Sequence, residues 1–216
     1  MAPGKVPARR LLAVSAAAAL ALGLTLATRD AYAVGGEVGA HGGPVIRTSS
    51  EWGKTYGAFV GLRPVDELGL YVDLFYAHQE FDLTRRTPEG GHRFPDIDVF
   101  GGRVRYLLDV TKRLHPYAHL GFGYAHISYP GLLTPVSENL AGARPTTVVQ
   151  RVGAFFEIPV GLGLAIEVAH ALRVNVEGSY RAGVAFTGSA YEDGVLPAEK
   201  KVSSGASLTG GVSLFF

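Results

Sequence analysis

The sequence predicts an all-β fold, an eight-stranded antiparallel transmembrane β-barrel preceded by a cleavable signal peptide. Three observations predict it: apolar residues recur with period two after residue 33, the connections alternate between short and long, and charged side chains share one face of the strands. The composition agrees, because 47% of the 216 residues are hydrophobic and 18% are charged. Such a chain is too apolar to be disordered.

Charge and cysteine content exclude several classes of protein. The 20 Lys and Arg residues nearly balance the 19 Asp and Glu residues, so the net charge gives no sign of a nucleic-acid partner. The absence of cysteine excludes a disulfide framework and thiolate chemistry. Only one stretch, near the N-terminus, is apolar and long enough for a membrane-spanning helix. A membrane protein with this sequence therefore crosses the bilayer with strands.

Residues 1–33 predict a secretory signal peptide. A basic stretch precedes an uncharged run from Leu11 to Thr28, and the triplet Ala31-Tyr32-Ala33 has the small residues that a signal peptidase reads. Cleavage after Ala33 would leave residues 34–216 as the barrel. An uncleaved membrane anchor is the alternative, and the Ala-rich, weakly apolar run argues against it.

Alternation divides the mature chain into strands. Between Pro159 and Val168 every even position is large and apolar, whereas the odd positions are small residues and Glu167. Turn signals separate eight such segments, which we predict at residues 34–42, 54–63, 68–82, 97–109, 114–128, 156–168, 173–186 and 204–216. Residues 64–67, 110–113 and 169–172 form short turns. Residues 43–53, 83–96, 129–155 and 187–203 form longer loops at the opposite end.

The charged face decides which way the barrel is turned. It carries five acidic and five basic residues: Glu37, Arg63, Asp73, Arg103, Arg105, Glu157, Glu167, Arg173, Glu177 and Arg181. Such a set cannot form the apolar interior of a soluble eight-stranded barrel. In the lumen of a transmembrane barrel it can pair internally while the apolar face meets lipid. Because eight strands enclose a space that side chains fill, the sequence predicts a lumen plugged by ion pairs. The alternative is that β-bulges shift one or two strands and move some of these charges to the rims.

Three segments resemble a known family. The C-terminal strand SGASLTGGVSLFF ends on Phe216, HPYAHLGFGYAH spans residues 115–126, and GGRVRYLLD spans residues 101–109. Together they are similar to small outer-membrane β-barrels of the OmpA, OmpX and OmpW kind, and the resemblance covers the whole mature chain. It implies the outer membrane of a Gram-negative cell envelope, contact with lipid and lipopolysaccharide, and recognition of Phe216 by the barrel-assembly machinery. Because the chain stops at Phe216, we expect no peptidoglycan-binding periplasmic domain.

The expected role is structural or interactive. A filled lumen leaves the long loops, chiefly 129–155 and 187–203, as the surface that binds an extracellular partner. A porin-like channel for small solutes is one alternative. We expect no cofactor and favour a protein without enzymatic activity.

A second alternative is acyl hydrolysis. His126-Ile127-Ser128 with Glu138 resembles the His-x-Ser and distant Glu of the lipid A deacylases, in which a serine attacks, a histidine is the base and a carboxylate orients it. His126 and Ser128 share the outward face near the loop end. Two features count against this function: the deacylase motif lies on the strand before the last, and Glu138 lies in an irregular loop.

The seven histidines do not predict a metal site. In a strand, His115 and His119 would lie roughly 13 Å apart, too far to share one ion. The remaining candidates are expected at rims or in loops, where water solvates the imidazole: His41, His78, His92 and His170.

Overall fold

The computed structural model describes residues 35–47, 52–65, 68–81, 96–133, 148–188 and 204–216. These residues form eight strands: β1 Gly35–Arg47, β2 Trp52–Val65, β3 Leu70–Phe81, β4 Asp96–Leu107, β5 Leu114–Leu133, β6 Val148–Ala169, β7 Leu172–Thr187 and β8 Gly205–Phe215. Each strand pairs antiparallel with the next, and β8 pairs with β1 to close the barrel. The predicted eight-stranded antiparallel barrel is confirmed.

The strands are staggered around the barrel. A path through directly paired residues leaves β1 at Gly36, crosses all the other strands and returns to β1 at Ile46, ten residues further along. A stagger of this size tilts the strands by roughly 35–45° and leaves an interior that side chains can fill. In the parts of the chain that are described, no helix is long and apolar enough to cross a membrane.

Two predicted loops were too long. Residues 129–155 were expected to be a loop, but β5 continues to Leu133 and β6 begins at Val148, with these two residues paired. Strand β1 likewise continues to Arg47 although it contains Pro44. Its pairing with β8 is interrupted between Gly42 and Val45, where proline has no N–H to donate. The predicted strands end at residues 42 and 128, close to Gly43-Pro44 and Pro130-Gly131, and β1 and β5 continue past these pairs.

Short connections gather at one end, the turn end, and long ones at the other, the loop end. Gly69 in the β2–β3 turn has a φ of +60°, and a Cβ there would lie 2.4 Å from the carbonyl oxygen of Leu107, so only glycine fits. The Thr111 hydroxyl accepts hydrogen bonds from the backbone N–H groups of Arg113 and Leu114 in the β4–β5 turn. Gly36 and Phe216 exchange backbone hydrogen bonds of 2.8 and 2.9 Å, which fasten the start of β1 to Phe216 at the turn end.

The outer surface is apolar over most of its height. Leu74, Leu120, Leu162 and Leu208 are each more than half exposed on the outside, whereas most charged side chains of the strands point inward. An apolar exterior around a polar lumen is the arrangement of transmembrane barrels and the reverse of a soluble one.

Candidate functional site

The turn half of the lumen holds a network of ion pairs. Arg105, 1% exposed, donates from Nε to Asp73 Oδ2 at 2.9 Å and from Nη2 to Glu37 Oε2 at 2.8 Å. Arg103 donates from Nε to Asp73 Oδ2 at 2.9 Å and from Nη1 to Glu177 Oε2 at 2.8 Å. These bonds join β1, β3, β4 and β7 across the barrel.

Further contacts complete this turn-side network, which we define as Glu37, Asp73, Arg103, Arg105, Arg173 and Glu177. Arg173 lies 3.7 Å from Glu37, and the Tyr117 hydroxyl donates to Glu177 at 3.1 Å. The Arg105 guanidinium lies over the rings of Tyr71 and Tyr117, at 4.9 and 5.5 Å from their centroids. Hydrogen bonds and aromatic faces therefore offset the cost of taking these charges out of water.

The loop half of the lumen is filled differently. Its loop-side apolar cluster consists of Val45, Phe59, Phe75, Ala77, Phe81, Ile97, Val99, Ala125, Ile127 and Phe155. None of these residues is more than 7% exposed. The predicted polar lumen is therefore wrong for this half, where apolar side chains fill most of the space. Inward positions near the loop ends of β4 and β5, such as Ile97 and Ile127, are apolar.

A second ion group lies within this apolar half. Arg47 donates from Nη2 to Gln79 Oε1 at 2.8 Å and to Glu157 Oε2 at 3.2 Å, and Arg181 donates to the other oxygen of Glu157. Arg47 was not among the predicted lumen charges because it lies in the predicted loop 43–53, whereas β1 in fact continues to it. Its signal was the continued alternation of Val45 and Arg47 past Pro44.

The ten predicted lumen charges divide into two sets. The structure buries eight of them: Glu37, Asp73, Arg103, Arg105, Glu157, Arg173, Glu177 and Arg181. Arg63 and Glu167 are only partly buried and lie at the turn end. Each adjoins a β-bulge, one between Leu62 and Val65 and one between Glu167 and Ala169. Bulges shift side chains relative to the strand pattern, so these two charges lie at the rim instead of in the network.

Little space remains between the side chains. A small cavity borders Phe59, Arg103, Tyr117, Asn175 and Glu177, with room for about one water molecule.

Two histidines lie where the sequence did not place them. His41 was expected at a solvated rim but lies in the lumen, its ring centroid 6.4 Å from that of Phe59. His78 was expected in the same setting but is 1% exposed, on the outer face beneath neighbouring side chains. His41 lies deeper because β1 continues past it to Arg47, whereas His78 is covered by outward neighbours such as Tyr56, whose ring centroid lies 5.0 Å away. His170 is exposed at the β6–β7 turn, and His92 lies outside the described residues.

A buried serine, histidine and glutamate also meet in the lumen. His119 Nε2 lies 3.1 Å from Ser179 Oγ and 3.3 Å from Glu177 Oε1. A hydrolytic triad needs the serine and the acid on opposite ring nitrogens, whereas here both contact Nε2 and all three residues are buried. The arrangement therefore does not match a hydrolytic triad. Among the described residues, no three His, Asp or Glu side chains are grouped so that they could hold a metal ion.

The candidate acyl-hydrolase residues are only partly placed. His126 is exposed on the outer face and pairs across the strands with Asp98, while Ser128 pairs with Asp96. Glu138 lies outside the described residues. The predicted triad therefore stays a prediction.

Comparison with known proteins supports the fold. No protein family and no curated protein matches the sequence, but solved structures do. Neisserial surface protein A is 13% identical with a TM-score of 0.57, and the alignment covers 85% of this chain and 97% of that one. A major outer membrane protein from Thermus thermophilus is 14% identical with a TM-score of 0.56, covering 86% of this chain and 100% of that one.

A third structure has the same architecture. The N-terminal β-barrel domain of Pseudomonas aeruginosa OprF is 14% identical with a TM-score of 0.50, and the alignment covers 84% of this chain and 97% of the domain. At these identities the likeness shows the fold alone. The chain thus has the fold of small outer-membrane β-barrels, as its resemblance to the OmpA, OmpX and OmpW barrels predicted.

Proposed function

We propose that this protein is an outer-membrane barrel whose lumen is closed by its own side chains and which acts as a structural or surface-binding scaffold through its loop end. The observation that supports the proposal is that two separate groups of side chains fill the lumen, the turn-side network in one half and the loop-side apolar cluster in the other. A hydrated ion would have to disrupt buried ion pairs and then enter an apolar layer, and both steps are costly. This supports a scaffold over the alternative of a small-solute channel.

The proposed location is supported by the apolar exterior of the barrel and by the composition of residues 1–33. Residues 1–33 would direct export, with cleavage after Ala33. The ring of Phe216 is exposed on the barrel surface at the turn end, where the barrel-assembly machinery could read it as a C-terminal signal. Lipid and lipopolysaccharide would then contact the apolar exterior, and an extracellular partner would bind the loops. No observation favours acyl hydrolysis by His126, Ser128 and Glu138 over this role.

Limited proteolysis of intact cells tests the location and orientation together. Trypsin added outside should cut the long connections, which contain Arg85 in 82–95 and Lys200 in 189–203, and leave the short β4–β5 turn intact. Lys112 and Arg113 in that turn should become cleavable only after the outer membrane is permeabilised. Cleavage at Lys112 or Arg113 in intact cells, without cleavage in the long connections, would overturn the proposed orientation.

A further inference from the structure

The apolar part of the outer surface is not equally tall on all sides of the barrel. On β4 the outward residues are apolar from Tyr106 only as far as Phe100, and Asp98 follows toward the loop end. On β6 they are apolar from Val168 to Phe156. With strands tilted by about 40°, these stretches measure roughly 15 and 30 Å along the barrel axis, against a typical apolar band of about 25 Å. The apolar surface is therefore shorter than this band on one side and taller on the other.

The edge of the apolar surface toward the loop end is oblique. Direct cross-strand pairing joins outward residues of β3 to β7 in one row, Tyr76, Phe100, Tyr124, Phe156 and Val184. Because the stagger of the barrel raises such a row by about 3 Å per strand, Val184 lies roughly 9 Å nearer the loop end than Phe100. Val184 is 40% exposed, so the apolar surface on β7 reaches at least this height.

On β3 to β5 the next outward residues after this row are polar. They are His78, Asp98 and His126, and the inward residues beside them, such as Val99 and Ile127, are apolar and fully buried. His78 Nδ1 lies 2.6 Å from Asp98 Oδ1, yet the Asp98 side chain remains 32% exposed. A polar exterior over an apolar interior is the arrangement of a barrel in water, and hydrocarbon solvates an exposed carboxylate poorly. The hydrocarbon beside β3 to β5 therefore ends below these residues.

Aromatic rings mark the same level. Tyr76, Phe100 and Tyr124 are the outward residues just below the polar ones on three neighbouring strands. The ring centroids of Tyr76 and Phe100 lie 4.8 Å apart, and Phe100 and Tyr124 are 54% and 45% exposed. Transmembrane barrels carry such aromatic residues where the membrane meets water. The aromatic row and the change in polarity thus place the membrane boundary on β3 to β5 at one height.

The turn end shows no comparable step. The backbone N–H of Glu167, next to the last outward residue of β6, donates to the carbonyl oxygen of Arg113 in the β4–β5 turn at 2.8 Å. The end of β6 and this turn therefore lie side by side. Exposed polar residues follow the apolar stretch on both sides, Asp109 after β4 and His170 after β6. The difference in apolar height between the two sides thus arises mainly at the loop end.

We propose that the outer leaflet of the membrane is thinned beside β3 and β4, where its hydrocarbon reaches roughly 9 Å less far toward the loop end than beside β7. Acyl chains of outer-leaflet lipid cover the taller apolar surface of β6 and β7. A bilayer adapts to a short apolar surface by local thinning, at a modest cost in free energy. The inference rests on the proposed membrane location and adds to it a lipid contact that differs between the two sides of the barrel.

Depth-dependent fluorescence quenching tests the step in the boundary. The chain contains no cysteine, so a single introduced cysteine takes one fluorophore, attached in the unfolded state before the barrel is folded into phosphatidylcholine vesicles with brominated acyl chains. His126→Cys and Val184→Cys form the matched pair. Val184 lies two strands further along the climbing rows and one outward step nearer the turn end, so both positions have nearly the same height. Bromines near the lipid carbonyls should quench the Val184 probe about two-fold or more strongly than the His126 probe.

A second pair with the same relation serves as the control. Val104 on β4 and Leu162 on β6 are 46% and 70% exposed and lie at similar heights nearer the turn end. Probes at Val104→Cys and Leu162→Cys should be quenched about equally at every bromine depth. Gel migration with and without heating identifies the folded variants. If Val184→Cys or His126→Cys fails to fold, Phe156→Cys and Asp98→Cys give the same comparison on β6 and β4.

Each outcome decides between the alternatives. Equal quenching of the His126 and Val184 probes, with strong quenching at Leu162, would overturn the inference and leave the proposed membrane location intact. Unequal quenching at Val104 and Leu162 would show that the whole barrel is tilted, which contradicts a step confined to the outer leaflet. A folded barrel without quenching at Leu162 would refute the membrane location itself.

Discussion

The two halves of the lumen are filled mainly by different interactions, charge-assisted hydrogen bonds near the turns and apolar packing near the loops. In the turn half, Asp73, Arg103 and Arg105 are joined by charge-assisted hydrogen bonds, so each charge depends on partners contributed by other strands. In the loop half, Ile97, Val99 and Ile127 fill space by packing. The difference shows that the polarity of the inward-facing side chains changes along the axis of the barrel. It has the polarity of a membrane barrel near the turns and, on β3 to β5, that of a soluble barrel near the loops.

Removing one member of the turn-side network should have the largest effect. Arg105→Met removes the cation shared by Glu37 and Asp73 and leaves each with one remaining cationic neighbour, Arg173 or Arg103. Breaking a buried ion pair in this way costs about 3–5 kcal/mol. Urea unfolding of the lipid- or detergent-bound protein measures the loss. Arg113→Met, on an exposed turn residue, is the control and should change stability by less than about 0.5 kcal/mol. Equal stability of the two variants would contradict the network's role.

The loss of stability caused by substitutions in the loop-side apolar cluster should increase with the side-chain volume removed. Ile97 is fully buried, so Ile97→Val should cost about 0.5–1.5 kcal/mol and Ile97→Ala about 2–5 kcal/mol. The outward Ile158→Ala, at a residue that is 38% exposed, should cost less than Ile97→Ala because lipid or detergent fills the space. If Ile97→Ala were as mild as Ile158→Ala in the same unfolding assay, the cluster would not be tightly packed.

A glycine substitution can test how closely the turn half is packed. A Cβ at Gly163 would lie 2.2 Å from Cζ of Tyr117, so Gly163→Ala must displace the ring and its hydrogen bond to Glu177, at about 1–3 kcal/mol. Gly178→Ala is the matched control, since a Cβ there meets nothing within 4 Å. Thermal unfolding should separate the two. A neutral Gly163→Ala would show that Tyr117 is loosely held.

The smallest expected effect is a gain in stability at the loop end. Ala185 has a φ of +53°, a conformation strained for a residue with a Cβ. It adjoins a bulge between Ala154 and Phe156, beside Phe186, whose ring centroid lies 5.4 Å from that of Phe155. Ala185→Gly should stabilise by about 0.5–1 kcal/mol, whereas Ala182→Gly should destabilise. A loss of stability in both would argue against backbone strain at Ala185.

The number of strands and the charged residues in the turn half of the lumen could be predicted from the sequence, because period-two alternation assigns the residues of each strand to two opposite faces. The loop half of the lumen was predicted less well, for two reasons. The predicted strands end at residues 42 and 128, close to Gly43-Pro44 and Pro130-Gly131, although strand pairing continues past both pairs. Arg47 and the β5–β6 extension therefore lie in predicted loops. The alternation of Asp96, Ile97, Asp98 and Val99 has the opposite polarity to that of β6 and β7. Period alone does not say which face is inside.

Ion conductance in planar lipid bilayers tests the central claim that both halves of the lumen are closed. The account predicts no discrete conductance steps from the folded wild-type barrel in concentrated KCl. It also predicts no conductance steps from the Ile97→Ala variant, because the turn-side network still fills the turn half of the lumen. Stable, reproducible conductance steps from wild-type protein, absent in an identical preparation without it, would contradict the closed lumen and favour a small-solute channel.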